Sequence, residues 1–127
     1  MTNSAAKRRV LVVDDAGEVI VLCVNMLQSL GYAVKGANRP EVALELVGKE
    51  TFDLMIVDYR MPEMNGFEVF TQARALRPGM AVMLLTGHGT ADIVEEATAI
   101  GFDAILLKPF TRDQLRAAAE QALSGRG

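Results

Sequence analysis

The stretch Leu54-Met55-Ile56-Val57-Asp58-Tyr59-Arg60-Met61-Pro62-Glu63-Met64-Asn65-Gly66 decides how this chain reads. Four apolar residues in a row suit a strand buried on both faces. The carboxylate of Asp58 follows at once, and Asn65-Gly66 then opens a helix. The same shape recurs on either side. Val10-Leu11-Val12-Val13 runs into Asp14 and Asp15, Leu84-Leu85 into Thr86, and Ala104-Ile105-Leu106-Leu107 into Lys108. In an open parallel sheet, ligands bind in the crevice beyond the carboxyl ends of the strands, so polar groups just past several strands converge there. Three carboxylates, a hydroxyl and a lysine in one crevice suggest phosphate and a divalent metal.

Short apolar runs alternate with amphipathic segments about five times along the chain, the pattern of a parallel sheet covered by helices on both faces. Strands are predicted at 9–14, 33–37, 53–57, 81–85 and 104–107. Between the first two, Val19, Leu22, Cys23, Met26, Leu27 and Leu30 fall at helical spacing as one buried stripe, with Gly31 placed to end the helix in a left-handed conformation. Asn38 and Glu41, with Pro40 between them, resemble a capping box for a second helix reaching Val47. A third helix is expected from Asn65-Gly66 to a point before Pro78, with Phe67 and Phe70 on its buried side, and a fourth from Thr90 to Ile100, closed by Gly101. Thr111 and Gln114 are placed as a reciprocal cap for the fifth. The polar Lys35 suits the second strand to a sheet edge.

With 127 residues the chain holds one domain, expected over 8–124 with tails at 1–7 and 125–127, the latter with the composition of a linker stump. No apolar run nears the roughly 18 residues of a membrane span, and the polar N-terminus has no secretory core, which makes cytoplasm the expected compartment. Cys23 is the only cysteine, so it is read as a buried apolar residue and not as part of a disulfide or thiolate metal site. A net charge of −3 gives no footprint for nucleic acid, and Lys7-Arg8-Arg9 is read as the start of a strand. Met55, Met61, Met80 and Met83 are core filler by position. Neither glycine-rich nucleotide-binding pattern is present.

The motifs Val12-Val13-Asp14-Asp15, Asp58-Tyr59-Arg60-Met61-Pro62-Glu63-Met64-Asn65-Gly66, Leu84-Leu85-Thr86-Gly87 and Leu106-Leu107-Lys108-Pro109-Phe110 together resemble the receiver domain of two-component response regulators, over roughly residues 8–124. The resemblance implies a doubly wound, flavodoxin-like α/β fold with five parallel strands in the order 2-1-3-4-5. It implies that Asp58 takes a phosphoryl group from a sensor histidine kinase or phosphotransfer protein. Magnesium (Mg2+) would be held by Asp15, Asp58 and the backbone carbonyl of Arg60, with Asp14 acting through water. Lys108 and Thr86 would contact phosphoryl oxygens, and the Lys108-Pro109 bond would be cis. The implied output is the face made by the fourth helix, fifth strand and fifth helix, lined by Ala91 and Ile105, acting on an effector domain or by self-association. The protein would then be a phosphoacceptor switch and not an enzyme with an external substrate. Crowded carboxylates imply, on elementary electrostatics, that one of them titrates high.

One position departs from the family. Three residues before Lys108, where the family often has an aromatic, stands Ile105, read as a strand residue packing on a helix. His88, flanked by Gly87 and Gly89, is read as a solvated loop residue and not as a phosphocarrier. A magnesium-dependent phosphohydrolase working through an aspartyl phosphate would want a second acid two residues after the nucleophile, where this chain has Arg60. A degenerate receiver serving only as an interaction module is disfavoured by the intact set of Asp14, Asp15, Asp58, Thr86 and Lys108.

Overall fold

The computed structural model describes residues 7–87 and 89–125. His88, and with it the expectation placed on it, lies outside them, as do residues 1–6 and the last two of the C-terminal tail. The elements alternate strictly: β1 Arg9–Val13, α1 Gly17–Ser29, β2 Ala33–Ala37, α2 Pro40–Lys49, β3 Leu54–Asp58, α3 Gly66–Leu76, β4 Ala81–Thr86, α4 Ala91–Ile100, β5 Ala104–Leu107 and α5 Arg112–Ser124. All pairings are parallel and the strand order is β2-β1-β3-β4-β5, as the resemblance implied. Two strands run one residue longer at the carboxyl end than the sequence pattern suggested. Asp58 and Thr86 are therefore the last residues of β3 and β4 rather than the first of the loops, and the ladder itself fixes their backbones.

The sheet divides the interior in two. On one face Leu11, Val13, Met55, Val57, Val82 and Leu84 pack with α2, α3 and α4 residues such as Val47, Phe70 and Ala97. On the other, Val10, Val12, Ile56, Met83 and Leu85 pack with Cys23 and Leu27 of α1 and Leu115 and Ala119 of α5. Period-two alternation in strands whose residues are apolar throughout sends neighbours to opposite cores. Each fully buried Leu or Ile contributes about 1.5–3 kcal/mol. Met55, Met80 and Met83 are buried as core filler, and Met61 packs against the first core from its edge. β2 lies at the sheet edge, where Lys35 pairs with Glu50 at 2.7 Å and Arg9 of β1 joins the same carboxylate while stacking over Phe52.

Helix ends follow local chemistry, with one correction. Gly31 has φ +97°, and its N–H and that of Tyr32 donate to the carbonyls of Gln28 and Leu27, closing α1 with the paired bonds of a Schellman motif. Gly101 closes α4 in the same way. Thr111 and Gln114 cap α5 reciprocally, and Asn65 and Glu68 do the same for α3. The box expected at Asn38 and Glu41 does not form. The residue before α2 is Arg39, which makes no side-chain cap, so Glu41 stands second in the helix and not third, and its carboxylate lies 3.3 Å from the Arg39 guanidinium. The stripe on α1 is also narrower than expected. Cys23 and Leu27 are buried, but Leu22 is 44% exposed, and Ile20 takes the inward place beside Val19 and Met26. No helix among the described residues is long and apolar enough to cross a membrane.

Candidate functional site

The carboxyl ends of β1, β3, β4 and β5 bring together the residues singled out in the sequence. β1 delivers Asp14, whose N–H donates to the Ala37 carbonyl and whose Oδ1 accepts from the Ala16 N–H at 2.9 Å, so that one carboxylate oxygen orders the turn into α1. Asp14 is fully buried, while Asp15 beside it is exposed. β3 delivers Asp58, 5% exposed, and β4 delivers Thr86, 1% exposed. β5 ends one residue before Lys108, whose N–H donates to the Thr86 carbonyl at 2.9 Å. The Lys108-Pro109 peptide is cis.

Lys108 Nζ lies 3.1 Å from Asp14 Oδ2 and 3.0 Å from Asp58 Oδ1. One oxygen from each of Asp14, Asp15 and Asp58 falls within a mutual 4.8 Å. Burial pushes the Asp58 carboxyl above the usual carboxylate range. Its contact with Lys108 works the other way without overcoming burial and the charge of Asp14. One carboxylate of the group is thus raised, as expected, but burial raises it more than crowding by its neighbours does. Burial alone would lower the Lys108 ammonium, but its bonds to Asp58 and Asp14 and their charges leave it raised. A cluster offering only hard oxygen ligands from carboxylates fits a hard divalent cation, and no histidine or thiol among the described residues joins it.

Two pockets flank Asp58. One of about 240 Å³ is lined by Asp58, Arg60, Thr86, Gly87 and Lys108. The other, about 490 Å³, is lined by Asp15, Tyr59, Arg60, Met61, Pro62 and Asn65. Arg60 lines both and is itself exposed. A larger hollow of about 550 Å³ lies at the other end of the sheet, among Arg8, Phe52, Leu76 and Leu123, and touches none of these groups.

One residue of the site was not given a role from sequence. A Cβ on Gly66 would stand 2.6 Å from the Asp58 carbonyl oxygen and 3.1 Å from Tyr59 Cα. Only glycine lets the first turn of α3 approach this closely, and its N–H donates to the Tyr59 carbonyl at 2.8 Å. The signal was the Asn65-Gly66 pair followed by Glu68, since the capping-box pattern looked for at 38–41 stands, satisfied, at 65–68. Ile105 packs against the first core as the sequence suggested.

Comparison with known proteins agrees with this geometry. The chain matches the response regulator receiver domain family over residues 10–120. It is 35% identical over 125 residues to the alginate biosynthesis transcriptional regulatory protein AlgB of Pseudomonas aeruginosa, covering 98% of this chain and 28% of that one. It is 36% identical over 115 residues to the transcriptional regulatory protein ZraR of Escherichia coli, covering 91% of this chain and 26% of that one. The chain thus spans about a quarter of the length of these relatives. Among solved structures, the chemotaxis protein CheY4 of Vibrio cholerae superposes with a TM-score of 0.88 at 31% identity, covering 93% of this chain and all of that one. Fold and similarity agree, and the chain belongs to the response regulator receiver domain family.

Proposed function

We propose that Asp58 is the phosphoacceptor of a two-component phosphorelay and that the chain is a switch driven by that modification. The observation that carries the reading is the Asp58 carboxylate, buried at the end of β3 with Lys108 Nζ 3.0 Å away and Thr86 lining the same pocket. In the transfer, an Asp58 oxygen attacks phosphorus as the donor's P–N bond to histidine, or the P–O bond of acetyl phosphate, breaks, and the leaving group departs with the bonding electrons. Lys108 exchanges its contact with Asp58 for one with a phosphoryl oxygen. The Thr86 hydroxyl donates to another, a contact that exists only in the modified state and so favours a displaced loop.

Asp14, Asp15, Asp58 and the Arg60 carbonyl would hold Mg2+, Asp14 through water. When bound, the cation would neutralise charge on the transferring group. The partners we propose are a sensor histidine kinase or phosphotransfer protein as donor and, through the α4-β5-α5 face, an effector domain or a second receiver. Neither nucleic acid nor membrane is a partner of this domain alone, and its compartment is the cytoplasm. The length and printed names of AlgB and ZraR favour a transcriptional output in a longer protein.

Incubation with acetyl phosphate and magnesium tests the reading. A stable mass gain that Asp58→Asn abolishes is the expected result. Labelling that persists in the variant, turnover of many phosphate esters, or no reaction would each overturn it.

A further inference from the structure

We infer that Leu107 is a positioning residue of the switch. Its side chain, seated on Gly89, holds the segment after Thr86 in its resting place and yields when Thr86 moves. The inference rests on the proposed role of Asp58 and goes beyond it, because Leu107 is itself none of the groups assigned to phosphoryl transfer or metal binding.

Four observations converge on this residue. Leu107 pairs with Thr86 across the β4–β5 ladder, and the next residue, Lys108, donates its N–H to the Thr86 carbonyl. The backbone of Leu107 is thus tied to the threonine whose hydroxyl would follow the phosphoryl group. Leu107 is apolar yet 49% exposed and belongs to neither hydrophobic core, so packing within the sheet does not account for it. What it does contact is Gly89. A Cβ built on Gly89 would lie 2.4, 3.1 and 3.3 Å from Leu107 Cδ2, Cδ1 and Cγ, with no other group as near. The backbone at Gly89 does not require glycine, since only Gly31 and Gly101 among the described glycines have positive φ. A side chain at 89 would meet the leucine first.

Gly89 stands three residues beyond Thr86, on the same segment. Drawing Thr86 into the pocket over Asp58 displaces that segment, while Leu107 stays fixed to β5. The leucine loses its seat, and the contact counts for the resting state alone. Ile105 is packed against the first core, and Leu107 is the β5 side chain that meets Gly89.

The test is calorimetric titration of the magnesium-loaded chain with beryllofluoride, a phosphoryl mimic for the acceptor carboxylate. Leu107→Ala should tighten beryllofluoride binding about three- to tenfold, the scale of losing part of one leucine's contacts in the resting state only. Magnesium affinity measured alone should stay at the wild-type value, which a general loosening of the fold would not leave intact. Gly89→Ala removes the seat without altering β5, because the flexible end of Leu107 is what must give way, and should shift binding in the same direction. Combined with Leu107→Ala it should add nothing further. Unchanged or weaker binding in both single variants, or additive shifts in the double variant, would overturn the latch while leaving the acceptor assignment standing. Failure of the wild type itself to bind beryllofluoride would overturn both.

Discussion

Replacing Lys108 by methionine keeps the stem and removes the charge, and its cost can be worked from three distances. Oxygens of Asp14 and Asp58 lie within 4.8 Å of each other, a repulsion of about 3.5 kcal/mol at an effective dielectric near 20. Lys108 Nζ sits 3.1 and 3.0 Å from them, which on the same scale is an attraction of about 5 kcal/mol to each. The lysine therefore more than cancels the repulsion in the metal-free protein. Without it, two buried carboxylates face each other uncompensated, and the expected loss is about 3 kcal/mol at pH 8, as for other broken buried pairs. For a chain of this size that is a fall of roughly 12 °C in Tm. The loss should shrink at pH 5. Asp58 is already held above its usual range, and removing Lys108 removes the one contact that lowers it. A carboxyl raised in the folded state contributes stability below its unfolded value, near 4, and loses it as pH climbs through the folded value. The raised Lys108 ammonium of the wild type gives up its contribution only in the alkaline range, so it adds no slope between pH 5 and 8. Thermal melts followed by circular dichroism at the two pH values, without metal, make the measurement. A loss that is equal at pH 5 and 8, or below about 1 kcal/mol at pH 8, would refute the electrostatic account of the site.

Magnesium should raise the melting temperature of the wild type, by about 2.7 kcal/mol of stability at 100 times its dissociation constant, and Asp15→Asn should lose most of that response in the same melts. Arg60 carries no carboxylate or amide to orient a water and lines the pocket over Asp58, where its guanidinium can pair with phosphoryl oxygens and exclude solvent. Arg60→Asn should therefore shorten the lifetime of the labelled protein, as followed by loss of the added mass over time. Gly66→Ala drives a Cβ against the Asp58 carbonyl, which cannot rotate away, and should cost about 1–3 kcal/mol in urea unfolding. The same variant should slow acetyl phosphate labelling at least tenfold, because the acceptor backbone moves.

What could be read from the sequence was what repeats or punctuates. Five apolar runs gave the strands, and polar residues at their carboxyl ends gave the members of the site, because a parallel sheet leaves those residues one place to meet. The cap at Thr111 and the left-handed turns at Gly31 and Gly101 were legible for the same local reason. Tertiary competition was not legible. Asn38 and Glu41 carry the capping pattern, but α2 begins at Pro40 with Arg39 before it, and no count of residues reveals that shift of one. Leu22 fits the helical stripe of α1 and is nonetheless turned outward, because the buried seam is filled by Cys23, Leu27 and the flanking Ile20. Gly66 was visible as a residue but not as a constraint, since what forbids its side chain is a carbonyl eight positions away that arrives only with the fold.

All five residues of β3 are buried and the strand is clamped between β1 and β4, whereas β5, which precedes Lys108, has a neighbour on one side only. Asp58 is thus mounted on a strand paired on both sides, whereas Lys108 follows a strand paired on one. Charge added at such a post cannot be absorbed by the post. On the proposed role of Asp58, the strain it created would be relieved toward β5. A modification at the doubly paired centre would then be read at the singly paired margin, and the order of strands alone would give the signal its direction.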